Sequence, residues 1–114
     1  MQYLEERDLD YIGLGAAILG SGGGGDPYVG KLMAKQAIRK HGPVQLISAD
    51  EVDDNALIIP SAMMGAPAVM LEKLPNGQEP EIAFRSLEQY LGRKADAVIS
   101  IEAGGLNSCI PIYT

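Results

Sequence analysis

Two carboxylates lie inside glycine-rich runs of this 114-residue chain. Asp26 closes Gly20-Ser21-Gly22-Gly23-Gly24-Gly25, and Glu102 opens Glu102-Ala103-Gly104-Gly105-Leu106-Asn107-Ser108. A carboxylate can take a proton from water or hold a metal ion, and side-chain-free backbone beside it lets a ligand come close to main-chain N–H groups. Asn107 adds a carboxamide able to pair with an amide or carbonyl edge. Between these two, Ser61-Ala62-Met63-Met64-Gly65-Ala66-Pro67 has the same small-residue character and is the second of three runs in chain order.

Several standard readings of these runs fail on particular residues. Gly20, Gly22 and Gly25 form a G-x-G-x-x-G, but that fingerprint follows a strand, and the preceding residues have helical spacing. Gly25 to Lys31 fits G-x-x-x-x-G-K, yet Leu32 stands where a P-loop needs Ser or Thr for magnesium. Bare glycines entering a helix can form an anion site, but the Asp26 carboxylate would occupy those donors and repel a phosphate. The first run therefore reads as a close-approach surface for a polar, uncharged ligand, with Gly22, Gly23, Gly24 and Gly25 as its wall. The alternative is a hinge between two helices with Asp26 only as a cap. In the third run Gly104, Gly105 and Asn107 read as ligand contacts and Glu102 as a base or metal ligand, against a solvated strand end and a helix cap.

The elements that hold these runs follow from periodicity and punctuation. Leu9, Ile12, Ala16 and Leu19 have the spacing of one helical face, with Asp8 as N-cap and a stop at Gly20. Asp26 and Pro27 start a second helix with Val29, Leu32, Met33 and Ala37 inward. Arg39, Lys40 and His41 sit at its negative end, and Gly42-Pro43 closes it. Val44 to Ile47 and Ala56 to Ile59 read as strands, the latter buried on both faces, and Ser48 to Asn55 has room for one helical turn. Pro60 to Pro67 reads as a loop, Ala68 to Leu74 as a short helix, and Pro75-Asn76-Gly77 as a turn. Pro80 to Leu91 is a third helix with Phe84, Leu87 and Leu91 on one face and a Glu81–Arg85 pair. Ala97 to Ile101 is a strand parallel to Ala56–Ile59. The expected class is α/β, a short and largely parallel sheet flanked by helices. The second and third runs then lie beyond the carboxyl ends of their strands, where open α/β sheets form their ligand crevice.

Composition narrows the partners. Fifteen acidic against nine basic residues give a net charge of −6, which disfavours nucleic acid and an anionic membrane surface. Eight of the fourteen glycines fall within the first thirty residues, so the excess belongs to one segment. The N-terminus is charged and the apolar runs are short, so no leader or membrane span is expected, and the cytoplasm is the default location. Cys109 stands alone in an apolar stretch and reads as a buried, inert thiol. His41 reads as a helix-dipole partner, and Met63-Met64 as core or interface packing. No Ser-His-Asp spacing, G-x-S-x-G or zinc-type His/Cys cluster is present. The apolar ending Cys109-Ile110-Pro111-Ile112-Tyr113 resembles the start of a further element, so residues 1–114 are expected to be a truncated N-terminal α/β domain.

Gly15 to Tyr28, Met64-Gly65-Ala66-Pro67 followed by Leu71-Glu72-Lys73, and Glu102 to Ser108 together resemble, in order, blocks of the S-methyl thiohydantoin desulfurase family, which is hydantoinase- and oxoprolinase-related. The resemblance spans roughly Asp8 to Ile112. It implies the N-terminal part of a longer, two-domain protein, and hydrolysis of a hydantoin- or thiohydantoin-like ring with release of a thiol where the ring carbon bears sulfur. It transfers no metal-ligand or catalytic assignment. A divalent metal is compatible with this chemistry, but no cofactor is identified. With that activity, Asp26 or Glu102 is the candidate base, and the Gly23 to Gly25 amides and Asn107 the groups that orient the ring. The rival reading is a non-catalytic small-molecule-binding or assembly domain. The expected partner is a small-molecule substrate, and apolar surface left by a severed domain would permit a homo-oligomer.

Overall fold

The computed structural model describes residues 2–64 and 78–114. In chain order these form β1 (Gln2–Leu4), α1 (Asp8–Gly20), α2 (Pro27–His41), β2 (Val44–Leu46), a 3-10 turn (Ala49–Glu51), β3 (Ile58–Ser61), α3 (Glu79–Leu91), β4 (Ala97–Ser100) and α4 (Ile110–Tyr113). The chain is mixed α/β, as its periodicities indicate. Among the described residues the strands form two separate pairs instead of one sheet. β1 lies antiparallel to β2, and β3 lies parallel to β4 with Ile59 opposite Val98. The parallel pair is the one whose connection carries a helix. β2 pairs instead with β1, a strand of three residues that gives no alternation to read.

β3 runs on through Pro60, where a loop was the expectation. Ile59 and Ser61 are buried while Ile58 and Pro60 are exposed, so only one face is covered and the two-sided burial expected of this strand is not found. The Leu57 carbonyl accepts from the amides of Asp96 and Ala97. Odd-numbered residues of β3 therefore point their peptide groups at β4, and Pro60 turns its missing donor to the outer edge, where it costs no ladder bond. The Asp96 carboxylate accepts from the Leu57 amide at 2.8 Å and fixes this register at its start.

α1 and α2 pack through small residues. The buried side of α1 is Leu9, Gly13 and Ala16, and Leu19, expected inward, is 73% exposed. Gly13 takes the inward place because it admits the Lys31 stem, whose Cδ would lie 3.2 Å from a Cβ there. The buried side of α2 is likewise Gly30, Ala34 and Ile38; Val29, Met33 and Ala37 flank it half-buried, and Leu32 is exposed. Asp8 is the first residue of α1 instead of its N-cap, and its carboxylate accepts from the Glu5 amide at 2.8 Å. Ser21, in the left-handed region with φ 48°, ends α1. Across the helix pair, Asp10 meets Lys35 at 2.8 Å and Lys31 at 3.4 Å, and Glu6 meets Arg39. Lys31, Lys35 and Arg39 follow one another at a spacing of four on α2, opposite Asp10 in α1 and Glu6 in the turn before it.

α3 is bound to the following turn by Glu88, which is 6% exposed. Its carboxylate accepts from the Ala95 amide at 2.5 Å and from Arg85 at 2.6 Å. Arg85 therefore pairs with Glu88 and not with Glu81, because the inward carboxylate is already fixed in place. Phe84 is half-buried and Leu87 and Leu91 are exposed, so the face expected inward is only partly covered. Leu9, Ala34, Ile38 and Cys109 form the main core cluster, against which Ile12, Val44 and Ile112 pack. Full burial of a side chain such as Leu9 stabilises by about 1.5–3 kcal/mol. Cys109 is buried, as expected, and burial pushes its thiol pKa up. Among the described residues no helix is long and apolar enough to cross a membrane. The helix expected over Ala68 to Leu74, the Pro75-Asn76-Gly77 turn and Gly65-Ala66-Pro67 lie outside the described residues.

Candidate functional site

The first and third glycine-rich runs clasp each other main chain to main chain. The Gly105 amide donates to the Gly23 carbonyl at 2.9 Å, and the amides of Leu106 and Asn107 both donate to the Gly24 carbonyl, at 2.7 and 2.9 Å. Contact this close excludes side chains. A Cβ on Gly24 would lie 2.4 Å from Gly104 Cα, and one on Gly105 would lie 2.1 Å from the Gly25 carbonyl oxygen. Gly24 and Gly25 also have φ of 72° and 93°, which L-residues rarely adopt. Leu106, buried beneath the clasp, would be 3.0 Å from a Cβ on Gly30. A glycine inside α2 thus has a packing reason.

The Asn107 carboxamide brings in the second run. Oδ1 accepts from the Met63 amide at 2.8 Å, and Nδ2 donates to the Met63 carbonyl at 3.1 Å and to Glu102 Oε1 at 2.9 Å. The residue is 3% exposed, so its polar atoms are engaged within the protein. Ser100 Oγ lies 2.7 Å from the Glu102 carbonyl and 3.0 Å from that of Asn107, bracing the bend from below. Ser61 Oγ sits 2.8 Å from Thr114 Oγ1, whose own proton goes to the Ile110 carbonyl, so Ser61 is the donor. Met63 is half-buried, whereas Met64 is 98% exposed and packs in no core.

The structure therefore gathers Gly23, Gly24, Gly25, Glu102, Gly104, Gly105 and Asn107 at one place, beyond the carboxyl ends of β3 and β4. Gly104 and Gly105 are buried within it. Gly22 is exposed, with open space where a side chain would point. Asp26 is exposed and caps α2, its Oδ1 accepting from the Tyr28 amide at 2.9 Å. Glu102 is exposed, and its Oε1 lies 3.1 Å from the Cβ position of both Gly24 and Gly104. Among the described residues the amides of Gly24 and Gly25 donate to no protein oxygen. The rim can offer N–H donors to a carbonyl and a carboxylate to a water or an N–H.

Among the described residues no group of three or more His, Cys, Asp or Glu side chains gathers to hold a metal ion, so no step is assigned to one. A cavity of about 400 Å³ lies at the other end of β3 and β4, lined by Asn55, Arg93, Asp96 and Ala97 among others, and shares no residue with the glycine-rich runs. Ser100 and Gly30 belong to the site's support and were not singled out from the sequence. A hydroxyl inside the apolar stretch Ala97 to Ile101, and a glycine inside a helix, are the signals that mark them.

A family model described as "S-Me-THD-like, N-terminal domain" matches residues 7–114. No curated protein and no solved structure matches the chain.

Proposed function

Because the chain belongs to the S-Me-THD-like family through that N-terminal domain, we propose that its glycine-rich rim receives a hydantoin- or S-methyl-thiohydantoin-like ring and that Glu102 serves its hydrolysis. The observation that supports this most is the placement of the Glu102 carboxylate against Gly24 and Gly104, beside unbonded amides of the first run. An exposed carboxylate held by one oxygen keeps the other for a water molecule. In the proposed reaction Glu102 takes a proton as the water oxygen bonds to the ring carbon. The carbon–sulfur bond then breaks, and methanethiol leaves with the proton that Glu102 held. The ring carbon ends as a carbonyl, with the remaining proton on the adjacent ring nitrogen. The Gly24 and Gly25 amides stabilise the charge that builds on the ring, and Asp26 is the second candidate base.

Glu102→Gln and Asp26→Asn, which keep the Asn107 contact and the cap of α2, are tested for thiol release from an S-methyl thiohydantoin. Loss of release in either one, with the melting temperature kept, supports the reading. Unchanged release in both rejects it.

A second reading has its own observation. Most of the glycine backbone is spent on internal contact, and Asn107 is fully bonded within the chain. That is what an assembly or binding module without chemistry of its own would also show. In that case ring compounds bind at the rim, or not at all, and neither carboxylate matters to turnover.

A further inference from the structure

We propose that Asn107 is a positioning residue for Glu102, a buried carboxamide that orients the carboxylate and ties it to the backbone of the second run. This rests on the reading of Glu102 as the base, although the contacts stand without it. The orientation of the amide is dictated by Met63: its N–H requires Oδ1, and its carbonyl requires Nδ2. Turning the amide over would set donor against donor and acceptor against acceptor. With that orientation fixed, the second Nδ2 proton has one direction left, and Glu102 Oε1 receives it at 2.9 Å. Among the described residues nothing bonds Glu102 Oε2, so the carboxylate is aligned by one oxygen and open at the other. Ser100 holds the main chain on both sides of this contact, at the carbonyls of Glu102 and Asn107. The geometry calls for a side chain with one acceptor and two donors in a fixed plane. Asn supplies it, and an isosteric Asp does not.

A charge-swap series tests the role without any ligand. Asn107→Asp keeps the bond to the Met63 amide but sets its carboxylate against both Glu102 and the Met63 carbonyl, so the melting temperature falls. Glu102→Gln alone leaves the melting temperature near wild type, because Oε1 still accepts. In the double variant, Glu102→Gln with Asn107→Asp, the new carboxamide donates to the new carboxylate, and part of the loss is regained. A residue that only fastens Met63 shows no regain, and that result overturns the proposal. Should Asn107→Asp fail to fold, the wild-type side-chain amide of Asn107 carries the test by NMR. Its Nδ2 protons should shift with a carboxyl titration that Glu102→Gln abolishes. No such titration, or one that survives Glu102→Gln, refutes the proposal. A failed ring-binding experiment leaves both outcomes untouched, so the two claims fall separately.

Discussion

Gly24 and Gly104 stand so close that a methyl group on the first would lie 2.4 Å from the Cα of the second, and one on the second 2.6 Å from the Cα of the first. Eighty residues of sequence separate them, and the chain brings them together by three main-chain hydrogen bonds between their runs. The glycine content of both runs therefore has a steric cause that is independent of any ligand.

Alanine substitution should separate the clasp from the rim. Gly104→Ala meets backbone, which cannot move aside, and is expected to cost about 2–4 kcal/mol in urea unfolding. Gly22→Ala has open space but a φ of 87°, so only the left-handed backbone penalty of about 1–2 kcal/mol applies. Equal costs at the two positions would contradict the clasp.

Much of the positioning framework was legible before the structure. Asp26-Pro27 starts α2 because an N-cap acceptor and a fixed φ are local chemistry. The stop at Gly20 and the parallel pairing of β3 with β4 follow from equally local signals. The inward faces of α1 and α2 were misread where glycine fills the interface, since Gly13 and Gly30 carry no hydrophobic signal. β1 is too short to show a pattern. In the site, the sequence placed the second and third runs beyond the strand ends, but it could not say that the glycines of the first run would pack against those of the third. Nor could it reveal that Asn107 bonds Met63, a contact 44 residues apart.

Stability should fall in acid, by a mechanism with a definite sign. Arg39 holds Glu6, and Lys35 holds Asp10, below the ordinary carboxylate range. The Ala95 amide, then Arg85, does the same to Glu88, and the Leu57 amide, then Arg93, to Asp96. Depressed folded-state values mean that the unfolded chain binds protons first as pH drops. The stabilisation is present at neutral pH and is lost below about pH 4, as the folded carboxyls protonate. Melting temperatures from about pH 7 to about pH 2.5 should stay level and then decline. A level curve throughout would exclude this contribution.

Salt should weaken the α1–α2 contact selectively. Lys31, Lys35 and Arg39 face Asp10 and Glu6 at the protein surface, where ions screen such pairs. Asp10→Asn should remove part of the salt dependence of the melting temperature while changing stability little at high salt. A salt response identical to wild type would show that the pairs contribute nothing.

Cys109 should report unfolding and not local chemistry. The thiol is fully buried in the core cluster, and burial raises its pKa, so little thiolate is exposed to attack. A disulfide reagent should react only as fast as the chain unfolds, and mild urea should accelerate it. Rapid labelling of the native protein would contradict this packing.

Amide NMR of the 114-residue chain titrated with an S-methyl thiohydantoin, and with hydantoin beside it, tests ring recognition by the glycine-rich rim most directly. The expected result is saturable shifts in residues 22–26 and 102–107, with the amides of Gly24 and Gly25 moving most. Shifts confined to other parts of the chain, or none at concentrations where ring binding would saturate, would contradict it.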